Sequence, residues 1–581
     1  MSNRLTNILA VFLLLFVFVA AVFSMKDDST TMDEVAHLPA GYSYLTMKDM
    51  RLNPEHPPLI KDLAALPLLF IKGIKFDTSI PDWQEEVNGQ WGAGFYFLYK
   101  SGNPVDLMMF WGRIPMILVL VLLGFYIFKI SRELFGNKAG VLALIMFSFS
   151  PTLLAHGRLV TTDIGAAAGF LIATYYFVKS LQNPTTRNIV LAGLALGFAE
   201  LAKFSTIILI PIYAFFALTW LLIKKENFWK IFKNYILIMV VCFLLVGVLY
   251  QYHVINYPPE RQVSDTQALL RSHPIPFLSP AISFFADKPI LRAYAQYALG
   301  LALVFQRASA GQTTYFMGEV SAAGWKSYFP IVYSIKETIT FHLLTLLSLC
   351  LGVYLFFKQI SGKKLFTGLS ELLKDHFFIF TFLVLIGAYW ASSLISSLNI
   401  GVRHLMPTIP LVIVMVSGAV AYWLKHPYLK IKYALLVILI VWQVVSLSLV
   451  YPHVLAYFNE IAGGPANGYK YVTDSNLDWG QDLRRLKQWV ADNEIEKIYV
   501  DYFGGGDASY YLKEKYEPWW GTRNPEELPK GSYLAISATF LQGGRGEPSV
   551  GFNQSFGYYK WLDKYQPVAK IGYSIFVYQI Q

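Results

Sequence analysis

The chain has 581 residues, 55% of them hydrophobic and only 15% charged, with a formal net charge of +10. Apolar runs of roughly 17 to 25 residues recur along it, each long enough to cross a hydrocarbon core of about 30 Å. This excludes a soluble globular enzyme and describes a polytopic helical membrane protein. The basic excess is no nucleic-acid footprint: residues 452–581 hold 13 Lys+Arg against 15 Asp+Glu, and residues 1–451 hold 35 against 23, so the surplus lies in loops between apolar runs. The two cysteines, Cys242 and Cys350, fall inside apolar runs and support neither a disulfide framework nor a CxxC metal site.

In chain order, residues 5–25 follow Arg4 with no small-residue cleavage site and read as a retained signal anchor. Further spans are expected at 107–130, 139–154, 164–181, 189–202, 205–223, 235–252, 337–357, 377–398, 405–424 and 433–451, about eleven in all. A cytoplasmic N-terminus puts Lys129, Arg132 and Lys138, then Lys179 and Arg187, then Lys224, Lys225, Lys230 and Lys233 on one side. Lys358, Lys363, Lys364 and Lys374, and finally Lys425, Lys430 and Lys432, join them there. The short loops opposite contribute Arg158, Lys203 and Arg403, the asymmetry expected of a positive inner face. Residues 1–451 are therefore expected to form one membrane domain, with long outer loops at 26–106 and 253–336. From Pro452 the long apolar runs stop and Gly, Asp and Asn punctuate the chain. Residues 452–581 read as a soluble extracytoplasmic α/β domain, with helices at 478–493 and 558–565 and strands at 497–503, 532–537 and 569–578.

Ionisable side chains are concentrated in the first outer loop, between Thr31 and Leu59. In a helix starting at Thr31, Asp33 and His37 share one face with Gly41 and Tyr44. Glu34 stands three residues after Thr31 and serves equally as the acid of a capping box. In Asn53-Pro54-Glu55-His56-Pro57-Pro58 the prolines suit the first turn of a helix over 59–70. Glu55 and His56 then sit at its positive end, either as an ordinary cap with a surface histidine or as a phosphate-binding start. Asp163 of Thr161-Thr162-Asp163 opens the fourth span on the same face of the membrane, where it also reads as a helix N-cap. Lys203, after Glu200, closes the short fifth span, and Arg403-His404 opens the tenth. Acidic and basic groups gathered at one membrane face suit transfer of a group from an anionic lipid.

The order Asp33-Glu34-x-x-His37, Asn53-Pro54-Glu55-His56-Pro57-Pro58-Leu59, Thr161-Thr162-Asp163 and Ala202-Lys203 resembles the GT-C membrane glycosyltransferases that use polyprenyl-phosphate sugars. It is most similar to bacterial relatives of the protein O-mannosyltransferases and the lipid A aminoarabinose transferase. Tyr315-Phe316-Met317-Gly318-Glu319, Gly324-Trp325 and Tyr328-Phe329-Pro330 resemble the long outer loop of that group. The resemblance implies a GT-C fold and an inverting transfer to an acceptor hydroxyl of a protein, lipid or glycan at the outer face. Asp33 corresponds to the general base, Asp163 to the second acidic position and Glu55 to the acid before Pro-Pro. His56 falls where aminoarabinose transferases carry lysine. Lys203 corresponds to a phosphate-contacting lysine and Arg403 falls in an arginine-rich stretch; Arg292 and Arg307 are further candidates for the leaving phosphate. His37, Glu55 and His56 could also ligate a divalent ion, although no spacing matches a zinc signature. The competing class is a transporter or flippase of lipid-linked precursors. Such proteins tend to place charges at mid-bilayer in broken helices and to carry inverted repeats, and neither feature is evident.

Overall fold

The computed structural model describes residues 1–361, 363, 365–425 and 428–581; of the basic residues expected on the inner face, Lys364 lies outside this set. Among the described residues nine helices are long and apolar enough to cross a membrane: Asn3–Met25, Val105–Phe135, Asp163–Gln182, Phe204–Lys224, Phe228–His253, Ile339–Ile360, Phe377–Ile395, Val402–Trp423 and Leu429–Val450. The other two expected spans are shorter. The segment over 139–154 divides into Asn137–Ser148 and Pro151–His156, because Pro151 starts a new helix whose first turn Ser150 caps. The segment over 189–202 is Thr186–Ala202. It stops where Lys203 turns extended, at φ −160° and ψ 134°.

Asp163–Gln182 and Val402–Trp423 are the most enclosed of the nine. The first can be enclosed because its opening turns are small residues, Gly165 to Gly169. A Cβ on Gly169 would stand 2.8 Å from the Ala199 methyl, so Thr186–Ala202 packs almost backbone to backbone against it. The close fit carries Lys203, at the end of one helix, to Asp163 at the start of the other.

The first outer loop folds as anticipated. Met32–Met47 is a helix, and after the Pro-Pro step Leu59–Ala65 continues as the 3₁₀ turn Leu66–Phe70. Gly41 lets the two helices touch, since a Cβ there would lie 2.1 Å from the Lys61 carbonyl oxygen.

The C-terminal region carries a five-stranded sheet in the order Tyr516–Pro518, Ile498–Asp501, Tyr533–Ser537, Ile575–Gln579, Ala569–Ile571. The first three strands are parallel and the last two antiparallel. The single strand expected over 569–578 is thus a hairpin, turned at Gly572 and Tyr573, both at positive φ. The helix expected over 478–493 covers only Leu483–Asp492. Residues 478–482 are instead drawn into the core, where Asp478, Trp479 and Asp482 are buried. The helix expected over 558–565 is the short 3₁₀ turn Lys560–Lys564.

This region is fastened to the rest of the chain at several levels. Glu547–Pro548 adds a parallel strand to the hairpin Thr314–Phe316 and Glu319–Ser321 of the second outer loop. Val454, Leu455, Tyr457 and Trp479 belong to the same apolar core as the membrane helices.

Candidate active site

Each side chain of the site stands at the end of an element. Met32–Met47 starts at Thr31, whose N–H donates to Glu34 Oε2 at 2.9 Å, half of the expected capping box. The start is set by the C-terminal region: Ser29 N–H donates to the Gln481 carbonyl at 2.9 Å and Met32 N–H to the Trp479 carbonyl at 3.0 Å. Asp33, one residue inside the helix, then meets Arg403 at the head of Val402–Trp423, with Nη1 to Oδ2 at 2.7 Å. The same Nη1 reaches Asp163 Oδ2 at 3.3 Å, and Lys203 Nζ binds Asp163 Oδ1 at 2.5 Å. Trp479 lies beneath the Arg403 guanidinium, 4.2 Å from ring centroid to Cζ, a cation–π contact that fixes the plane of the fork. Asp33, Asp163, Lys203 and Arg403 thus form one alternating chain of charges. Span counting alone puts Asp163, Lys203 and Arg403 on a common face of the membrane.

A second group adjoins it. Glu55 pairs with Arg307 at 3.0 Å and accepts hydrogen bonds from Asn88 and Gln90. His56 packs edge-on against His37 at 5.1 Å, and both Lys203 and Arg307 stand near enough for their charge to act on it. Its Nδ1 is buried with no hydrogen-bond partner among the described residues. His404 Nε2 and Arg403 Nε are likewise buried and unpartnered there. Three cations, each shared with a carboxylate, thus gather beside two imidazoles that have unpartnered nitrogens.

The electrostatics divide the site. Burial alone would raise the Asp33 carboxyl, but Arg403 and His37 outweigh it and hold Asp33 below its ordinary value. Burial pushes His56 well below the usual imidazole range, with His37 and the neighbouring lysines adding to the effect, so it is neutral at pH 7. His37 is also lowered, chiefly by burial, and its Nδ1 lies 3.0 Å from the Val160 carbonyl oxygen.

Two nominated residues belong elsewhere. Glu34 makes a bidentate pair with buried Arg113, at 2.8 and 2.6 Å, and accepts the Val160 N–H at 2.9 Å. Its oxygens are engaged in structure and it does not enter the charge chain. Arg292 donates to Gln262 Oε1 at 2.9 Å and to the Tyr257 carbonyl, locking together two helices of the second outer loop. Nor do His37, Glu55 and His56 make a metal set: among the described residues no three His, Cys, Asp or Glu side chains are grouped to hold an ion.

Sequence reasoning missed Lys61 and Trp479. The Lys61 ammonium, pushed down to about 7 by burial, bonds the Asn53 and His56 carbonyls at 2.9 and 2.8 Å and Asn53 Oδ1 at 3.0 Å, so it shapes the loop bearing Glu55 and His56. Trp479 lies in Thr473-Asp474-Ser475-Asn476-Leu477-Asp478-Trp479, where two acids in seven residues were the available signal.

Residues 106–250 match the dolichyl-phosphate-mannose-protein mannosyltransferase family. The match takes in Asp163 and Lys203, and it bears out the GT-C resemblance read from the motifs. It covers about a quarter of the chain; Asp33, Glu55 and Arg403 lie outside the mannosyltransferase segment. Comparison with curated proteins gave no match. Among solved structures the chain is similar to ArnT from Cupriavidus metallidurans bound to undecaprenyl phosphate, with 12% identity, a TM-score of 0.45, and 100% of this chain and 98% of that one covered. The oligosaccharyltransferase of Archaeoglobus fulgidus in its apo form gives 12%, 0.46, 94% and 72%. The S. cerevisiae protein O-mannosyltransferase Pmt1-Pmt2 complex bound to the sugar donor gives 18%, 0.32, 44% and 34%.

Proposed function

We propose that the protein is a membrane glycosyltransferase that moves a sugar from a polyprenyl-phosphate donor to an acceptor hydroxyl at the extracytoplasmic face, with inversion and with Asp33 as general base. The observation that carries this reading is the single chain Asp33, Arg403, Asp163, Lys203, which sets a carboxylate beside cations at the mouth of the helix bundle. The donor phosphate sits on Lys203, Arg403 and Arg307, with His56 as a neutral hydrogen-bonding partner. The acceptor O–H gives its proton to Asp33, its oxygen bonds to the anomeric carbon, and the bond from that carbon to the phosphate oxygen breaks. Polyprenyl phosphate leaves as an anion held by the cations.

Before substrate arrives, Asp33 is a poor base because Arg403 holds it. A phosphate competing for that guanidinium loosens the ion pair and raises the proton affinity of Asp33, so donor binding arms the base. Asp163 keeps Lys203 and Arg403 in place throughout. The prenyl chain stays in lipid, since each CH₂ brought into water costs about 0.8 kcal/mol, and this ties the chemistry to a bundle of spans. The face is extracytoplasmic because the basic loops lie at the other ends of the helices.

The test incubates purified protein and cell extract with radiolabelled polyprenyl-phosphate sugars, comparing wild type with Asp33→Asn. Transfer by wild type and its loss in the variant are expected. Equal product from both would remove Asp33 as base; translocation of labelled lipid with no product would establish a flippase instead.

A further inference from the structure

Residues 473–476 are fastened to the segment that carries Arg403. Ser475 Oγ donates to the Ile400 carbonyl at 2.6 Å, and Val402 N–H donates to Asn476 Oδ1 at 2.9 Å. The fit is close enough that a Cβ on Gly401 would fall 2.2 Å from Ser475 Oγ. Lys336 holds the turn from behind, bonding the Asn476 carbonyl at 2.6 Å. Within the turn Asp474 adopts φ 54°, the left-handed region that costs a non-glycine residue energy and is kept where surrounding contacts impose it. The charges of Arg403, Asp33 and Arg307 act on the half-buried carboxylate, yet both arginines are committed elsewhere, to Asp33 and Asp163 and to Glu55. Among the described residues no cation pairs with Asp474; Oδ1 accepts the Ser475 N–H, and Oδ2 has no protein donor.

We propose that Asp474 binds hydroxyl groups of the transferred sugar, so that the C-terminal region supplies a specificity-determining residue to the membrane site. This rests on the reading of the pocket as a site for a lipid-phosphate sugar. The sugar is joined directly to the phosphate held by Arg403 and Arg307. A carboxylate within electrostatic reach of those cations but not paired with them is left free to accept from the group next to the phosphate. An ionised carboxylate accepts from two adjacent hydroxyls, each a charge-assisted bond. It also repels a second anion, which selects neutral or amino sugars over acidic ones.

The experiment measures equilibrium binding of undecaprenyl phosphate, and of undecaprenyl phosphate carrying mannose, glucose or aminoarabinose, to the full chain in detergent, for wild type and Asp474→Asn. Wild type is expected to bind at least one sugar-bearing lipid more tightly than the bare carrier. In the variant that affinity falls by about tenfold, the cost of losing a hydrogen bond to a charged group, while affinity for the bare carrier does not fall, which attests to an intact fold. Equal loss for both lipids, loss for neither, or no preference for sugar in wild type overturns the role of Asp474. The selective loss without sugar transfer by wild type would retire the transferase reading and leave Asp474 as a sugar ligand.

Discussion

At the scale of single residues the two acids of Asp33-Glu34 separate cleanly. Asp33 is one-fifth exposed and paired with Arg403, whereas Glu34 is fully buried with Arg113. Asp33→Asn is expected to lower turnover by about a hundred- to ten-thousand-fold, the span of general-base catalysis, while donor binding persists; single-turnover transfer beside a lipid-binding isotherm checks it. Glu34→Gln leaves the Arg113 charge buried without its partner, which costs about 3–5 kcal/mol of stability. Melting in detergent reads that loss, and the fraction that stays folded should keep its turnover. Adjacent acids were legible in the sequence, and the capping spacing already gave Glu34 a structural use. Only the arrival of Arg113 from the second span shows that this use takes up the whole side chain.

At the scale of elements, the approach of helix ends is what makes the site, and ion pairs outside it hold those ends. Asp28 follows the first span and contacts Arg158, from the short loop after Pro151–His156, as well as Arg485, from the helix Leu483–Asp492, at 2.8 Å. Burial opposes its charge, but the arginines prevail and bring its carboxyl down to about 2. A carboxylate lowered on folding binds fewer protons in the native state. Its contribution is complete above about pH 4 and is lost as pH falls through 2. Melting curves from pH 5 to pH 2 should therefore show the gap between wild type and Asp28→Asn narrowing by about 2 kcal/mol. None of these pairings could be read from spacing, since Asp28, Arg158 and Arg485 lie more than a hundred residues apart.

At the scale of the whole molecule, the two regions divided at residue 452 share one core and a sheet. Calorimetry in detergent is expected to show one cooperative transition, where independent domains would give two. A chain cut after Tyr451 should lose binding of undecaprenyl phosphate, because the backbone bonds from Ser29 and Met32 to residues 479–481 set the entry to the Asp33 helix.

The spans, the capping start at Thr31, the helix after Pro57-Pro58 and the two central strands Ile498–Asp501 and Tyr533–Ser537 follow from the sequence itself. Each depends on local periodicity, proline geometry or the length needed to cross a bilayer. Charge asymmetry between loops was enough to gather Asp33, Asp163, Lys203 and Arg403 on one face. The tertiary structure alone decided which of them touch, that Glu34 and Arg292 are spent elsewhere, and that Trp479 lies beneath Arg403. These are contacts between segments distant in the chain, which no local spacing encodes; the approach of Lys203 to Asp163, for one, depends on the room that Gly169 leaves for Ala199.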